Sequence, residues 1–117
     1  MSRITLRFDF DNDRRIGPGK ITLLEAVRDA GSISTAAKTL GMSYRRAWML
    51  VEAMNAMFKV PVVQTAHGGA RGGGASVTPF GAEIIARYRA TEARIHDVAR
   101  ADLQYLQRHV DRDTREA

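Results

Sequence analysis

The stretch that most constrains this chain is Ser32 to Phe58, SISTAAKTLGMSYRRAWMLVEAMNAMF. It reads as two helices joined by a tight turn. Ser34 is placed to cap the first, whose body is Thr35 to Leu40. Gly41 ends that helix, because glycine takes the left-handed conformation a helix C-terminus often needs. Ser43 is placed to cap a second, longer helix opening with Tyr44-Arg45-Arg46-Ala47-Trp48. Helix, glycine turn and a helix with two arginines in its first turn is the pattern of a DNA-reading helix-turn-helix.

Charge points the same way. Residues 14–71 hold nine basic and three acidic side chains, a balance of +6. The first 13 residues balance at −1 and the last 46 at 0, within a total of +5. A basic middle between neutral ends is the footprint of a polyanion partner, though a solvated basic face carries the same count. There is no cysteine, which excludes disulfides and thiolate zinc sites. His67, His96 and His109 lie far apart, and no Ser/His/Asp set sits in a supporting motif. No metal, cofactor or catalytic residue is expected, so the chain is not read as an enzyme. No apolar run reaches membrane-spanning length and no signal peptide opens the chain, so a cytoplasmic protein is expected.

Around the central unit the pattern alternates between strand and helix. Residues 3–10 place Ile4, Leu6, Phe8 and Phe10 on one face, as in a half-buried strand. Asp11-Asn12-Asp13 is a turn, and residues 14–16 can pair back as a short strand. A first helix is expected from Lys20 to Ala30, with Leu24 and Val27 inward and Gly31 beyond its end. In the helix after Ser43, Ala47, Val51, Met54 and Phe58 form the core stripe. That leaves Arg45, Trp48 and Met49 outward, with Tyr44 and Arg46 at the near end. Trp48 has two readings: it packs on DNA sugar or a thymine methyl, or it folds back on the first helix or the N-terminal strand. Residues 62–65 read as a strand, 67–76 as a glycine-rich tip and 77–78 as the return strand, making a β-hairpin wing. Arg71 at the tip and His67 at its base are positioned to meet phosphates or the minor groove.

The last helix should start at Pro79 with Thr78 as cap and reach Val110. Its apolar seam is Phe80, Ile84, Tyr88, Thr91, Ile95, Ala99, Leu103, Leu106 and Val110. A seam this long needs a second surface, and a homodimer through Ile84, Tyr88, Ile95, Leu103 and Leu106 supplies it. The expected fold is therefore mainly α with a small β component. It is a winged helix-turn-helix over residues 1–78, a dimerisation helix over 79–110 and a flexible tail over 111–117. DNA contacts are assigned to Ser32, Ser34, Thr35, Ser43, Tyr44, Arg45, Arg46, Trp48, Met49, His67 and Arg71. The partners are double-stranded DNA, as a palindromic operator, and a second copy of the chain.

Several runs carry a family resemblance: Gly17-Pro18-Gly19-Lys20, Leu24-Glu25-Ala26, Gly31-Ser32-Ile33-Ser34, Gly41-Met42-Ser43-Tyr44-Arg45-Arg46-Ala47-Trp48, Met54-Asn55, and the wing followed by Val77 to Gly81. Together they resemble the N-terminal domain of the ModE family of molybdate-responsive transcriptional regulators, a winged helix of LysR type. The likeness covers about residues 3–95. It implies DNA binding and dimerisation through the long helix. That family continues into Mop-like (TOBE) domains that bind molybdate, and this sequence ends where they would begin. Molybdate is therefore a possible partner without a sensor behind it in this chain. A protein-interaction winged helix using the Trp48 face, and an oxyanion site near Arg14, Arg15 and Lys20, are the alternatives.

Overall fold

The structure is a computed structural model and describes residues 2–66 and 74–111. In chain order the elements are β1 (Phe8–Asp9), β2 (Arg15–Ile16), α1 (Pro18–Ala30), α2 (Ile33–Leu40), α3 (Tyr44–Met57), β3 (Val63–Thr65), β4 (Ala75–Val77) and α4 (Pro79–Arg108). This is the mainly helical winged-helix architecture expected from the sequence. Its two β hairpins are antiparallel, β1 on β2 and β3 on β4.

α1 begins two residues earlier than expected, at Pro18. A proline has no N–H to leave unpaired in a first helical turn, and its φ is already helical. The helix stops at Gly31, whose left-handed φ of 75° lets its N–H reach the Val27 carbonyl at 2.9 Å. Ile21 and Leu23 join Leu24 and Val27 in full burial, so the inward face is broader than that pair. Against it pack Ile33, Ala36 and Ala37 of α2 and Ala47, Val51 and Met54 of α3. Three alanines at the α2–α3 crossing allow the two helices to approach closely.

The N-terminal strand is much shorter than the alternation in 3–10 implies. Only Phe8 and Asp9 find ladder partners, Ile16 and Arg15. Asn12 and Asp13 adopt positive φ in the turn between them. Ile4 and Leu6 are half-buried, whereas Phe8 and Phe10 remain 41% and 43% exposed. A two-stranded ribbon has no further strand to extend its ladder, so the arm before Phe8 is held by a side chain instead. The Tyr88 hydroxyl donates to the Leu6 carbonyl at 2.6 Å, and the Tyr88 ring meets Phe8 edge-on at 6.3 Å.

That contact draws Tyr88, one of the expected seam residues, into the packing of its own chain. Tyr88 is 2% exposed within a single chain, covered by its own N-terminal arm. Ile85, absent from the predicted seam, is the other buried side chain on this part of α4. The helix ends at Arg108, with His109 as its cap, slightly short of Val110. Beyond about Glu92 it extends past the body, giving the molecule a long dimension of 57 Å against 28 and 27 Å across.

Two interactions fix the angle at which α4 leaves. Arg89 forks onto Glu25 of α1 at 2.7 and 3.1 Å and also reaches Glu92 at 2.9 Å. The hydrogen bond from Arg89 holds the Glu25 carboxyl below its ordinary pKa, against the opposing effect of burial. Gly81 lies so close to the chain before β3 that an added Cβ would stand 2.4 Å from the Val62 carbonyl oxygen and 2.8 Å from Val77. Gly81→Ala should therefore cost about 2–3 kcal/mol in urea unfolding, since neither backbone can yield cheaply. A depressed carboxyl stabilises the fold above its unfolded pKa of about 4.3, and that contribution is lost as pH falls through the lower folded value. Glu25→Gln should cost about 1 kcal/mol at pH 7, after discounting for a guanidinium open to solvent, and progressively less below pH 4. Urea midpoints at both pH values check this, and an undiminished difference at low pH would contradict the assignment.

Candidate nucleic-acid interface

The helix-turn-helix is built by capping. Ser32, not Ser34, caps α2: its backbone is extended and its Oγ accepts the Thr35 N–H at 3.1 Å. Ser34 falls inside the first turn, exposed beside Thr35. The shift has a packing cause, because starting two residues earlier brings Ile33 into the helix and buries it to 5% exposure. At the other end Gly41 takes φ 68°, and the Met42 N–H reaches back to the Ala37 carbonyl at 3.0 Å. This six-to-one closure is a Schellman turn, which reverses the chain within three residues. Ser43 then caps α3, its Oγ accepting the Arg46 N–H at 3.1 Å, as expected.

With Ala47, Val51 and Met54 inward, the opposite face of α3 is set. Tyr44, Arg45, Arg46, Trp48 and Met49 all lie exposed on it. Trp48 remains 43% and Met49 54% exposed. An open groove of about 370 Å³ runs along this face between Ser43, Arg45, Arg46 and Met49, ending at Ala53. Lys38, Arg45, Arg46 and Lys59 make no ion pair among the described residues. The pairs that do form lie on the N-terminal hairpin, at the end of α1 and along α4. The helix-turn-helix thus keeps its positive charge available to an anion.

The wing is a three-rung ladder, Val63 to Val77, Gln64 to Ser76 and Thr65 to Ala75. β4 starts at Ala75, inside the stretch read as the glycine-rich tip, and Thr78 leaves the strand to cap α4. The Ala75 N–H donates to the Gly31 carbonyl at 2.9 Å, docking the wing on the end of α1. His67 and Arg71 lie outside the described residues.

One residue that joins these parts was not singled out for a role by the sequence. The Asn55 side chain accepts the Val62 and Val63 N–H groups at 2.8 and 3.1 Å and donates to the Val63 carbonyl at 3.0 Å. It fastens the first residues of the wing to the last turns of α3. A polar residue directly after the core position Met54, six residues before a Pro-Val-Val run, was the available signal.

The cations of the alternative oxyanion site are engaged elsewhere. Lys20 Nζ donates to the Arg15 carbonyl at 2.7 Å and Arg14 Nε to the Asp11 carbonyl at 2.8 Å. Arg15 lies 3.9 Å from Asp13. Burial, with Arg15 nearby, lowers the Lys20 pKa.

Residues 19–82 match the model of the bacterial regulatory helix-turn-helix proteins of the lysR family. The chain belongs to that family. The molybdenum-pterin-binding protein MopB of Rhodobacter capsulatus is 48% identical over 81 residues, 69% of this chain and 30% of MopB. The molybdenum transport protein ModE of Azotobacter vinelandii is 35% identical over 120 aligned positions, 92% of this chain and 44% of ModE. The chain thus spans less than half the length of these relatives. The DNA-binding domain of CbnR, solved as a DNA complex, superimposes with a TM-score of 0.55 at 25% identity, covering 72% of this chain and 94% of that one. A lysR-family helix-turn-helix is a DNA-binding regulatory unit, not an enzyme. No described helix is long and apolar enough to cross a membrane.

Removing the Asn55 clamp should separate wing placement from helix placement. Asn55→Ala leaves two amide donors without their partner and should lower stability by about 2 kcal/mol. Amide hydrogen exchange is expected to accelerate at Val62 and Val63 while α2 and α3 keep their protection. Unchanged exchange at those two amides would show that the clamp does not hold the wing.

Proposed function

We propose that this chain is a sequence-specific transcriptional regulator that binds double-stranded DNA as a homodimer in the cytoplasm. The observation that carries the reading is the pair Arg45 and Arg46, exposed in the capped first turn of α3 and free of ion pairs among the described residues. Recognition helices present their first turns to base edges in the major groove, where an arginine bonds guanine O6 and N7. Trp48 and Met49, one turn along, offer apolar surface for a thymine methyl. Ser32, Ser34, Thr35, Ser43 and Tyr44 supply hydroxyls and helix-terminal amides for phosphates on either side. The wing, with His67 and Arg71 in its sequence, is assigned to flanking backbone or the minor groove.

A two-fold dimer carries two recognition helices, so the operator is roughly palindromic. The names of MopB and ModE tie those proteins to molybdenum. A molybdate response of this chain rests on that likeness, while Arg14, Arg15 and Lys20 are already engaged in the hairpin.

Selection of bound duplexes from a random pool should yield a palindromic consensus. Against the selected site, Arg45→Ala and Arg46→Ala should each lose about 1–3 kcal/mol of affinity and relax preference at the base pair contacted, with unchanged thermal unfolding. The parent's affinity should fall steeply with salt as counterions are released. Parent-like binding by both variants would sink the assignment of α3. Salt-insensitive capture of a protein partner through Trp48 would instead favour the protein-interaction alternative.

A further inference from the structure

The chain has no cysteine, so its methionine thioethers are its only oxidisable sulfur. The fold treats them unequally. Met54 is wholly buried, and Met42 and Met57 are partly buried against the core, whereas Met49 is 54% exposed and takes no part in the core. It lines the open groove of α3 together with Ser43, Arg45 and Arg46. Ala53, one turn further along the same face, is exposed and too short to shelter it. The groove, of about 370 Å³, is an order of magnitude larger than the roughly 30 Å³ that a water-sized molecule occupies. A small oxidant therefore reaches the Met49 sulfur without any movement of the protein.

Its position also decides what oxidation does there. Arg45 and Arg46 stand four and three residues before Met49 on α3. On a helix that spacing makes side chains neighbours, with Cβ atoms about 5–6 Å apart. Both guanidinium groups are without ion pairs among the described residues. A thioether offers them only a weak acceptor. A sulfoxide is polar, and its oxygen accepts hydrogen bonds from a guanidinium.

Resting on the DNA-reading assignment of α3 above, we propose that Met49 is a reversible oxidation site through which a peroxide lowers the affinity of this protein for its operator. The sulfur lone pair attacks one peroxide oxygen, the O–O bond breaks and a sulfur–oxygen bond forms. The sulfur loses two electrons and the peroxide gains them. With hydrogen peroxide, the departing hydroxide takes the proton of the transferred hydroxyl and leaves as water. Reduction by a thiol-dependent methionine sulfoxide reductase reverses the step, with two thiols becoming a disulfide and the oxygen leaving as water. The new oxygen draws Arg45 or Arg46 along the helix and away from guanine. The apolar surface for a thymine methyl is lost at the same time. DNA on this face shelters the sulfur, so oxidation acts on the free protein.

Peptide mass spectrometry of the full chain in hydrogen peroxide should show Met49 converted at least about fivefold faster than Met42 and Met57, with Met54 slowest. The operator duplex selected above should slow conversion at Met49 alone. Oxidised protein should bind that duplex about tenfold more weakly, and methionine sulfoxide reductase with dithiothreitol should restore the affinity. In Met49→Leu, peroxide should leave affinity at that variant's own untreated value, which separates Met49 from damage elsewhere. Equal conversion of Met49, Met42 and Met57 overturns the site and leaves the DNA reading intact. Undiminished binding by protein carrying Met49 sulfoxide, or an equal loss in treated Met49→Leu, overturns the switch and also leaves that reading intact. Failure of the untreated chain to retain any duplex removes the DNA reading and this inference together.

Discussion

The structure depends on how three residues, Pro61, Val62 and Val63, are tied down between α3 and α4. From one side the Asn55 side chain takes both valine amides and returns a bond to the Val63 carbonyl. From the other, the Thr78 hydroxyl donates to the Pro61 carbonyl at 2.7 Å while accepting the Gly81 N–H at 3.0 Å, and the Thr78 N–H takes the Val62 carbonyl at 2.9 Å. Val62 is itself wholly buried. Every polar group at this crossing has a partner, and buried backbone groups left without one would each cost free energy comparable to a lost hydrogen bond. The recognition helix, the wing and the long helix are therefore one mechanical unit. None of the three can tilt without breaking bonds that water cannot easily replace.

That coupling explains why so much of the fold was readable from the chain and why some details were not. Caps and glycine stops are local chemistry, so Ser43, Gly41, Gly31 and Thr78 sit where the sequence put them. The register errors come from tertiary choice between near-equal local options. Ser32 and Ser34 are both competent caps, and burial of Ile33 decides for Ser32. Period-two alternation predicted a strand over 3–10, but a ladder needs a partner and the return segment provides only two rungs. The seam on α4 was legible as a stripe, yet the sequence could not show that the chain's own N-terminal arm covers Tyr88. Of the candidate interface, the exposure of Arg45, Arg46, Trp48 and Met49 on one face of α3 was legible because helical arithmetic places them opposite a clear core stripe. Asn55 carried only a faint signal, since its role lies in backbone groups seven and eight residues away.

The distribution of charge divides the molecule into two parts with different electrostatic character. On α4 the arginines are largely consumed within the chain: Arg87 on Glu83, Arg89 on Glu25 and Glu92, Arg100 on Asp97. Exposed pairs of this kind add little stability each, but they neutralise much of the positive charge that the helix would otherwise present. Lys38, Arg45, Arg46 and Lys59 have no such partners among the described residues. Their unscreened charge favours DNA, where each phosphate neutralised releases counterions and makes binding steeply dependent on salt. The unpaired cations of the helix-turn-helix and the internally paired charges of α4 thus lie on separate surfaces.

These two surfaces are nevertheless linked through the crossing at Val62. The distance between two recognition helices in a dimer is fixed by where the two α4 helices cross and by the angle at which each leaves its body. Arg89 on Glu25 and the close approach of Gly81 to Val62 set the angle. A shift of one helical turn along α4 moves a partner by about 5.4 Å, a sizeable part of the roughly 34 Å that separates half-sites one DNA turn apart. In the homodimer proposed above, operator spacing would therefore depend on the departure angle of α4 as well as on the arginines at the start of α3.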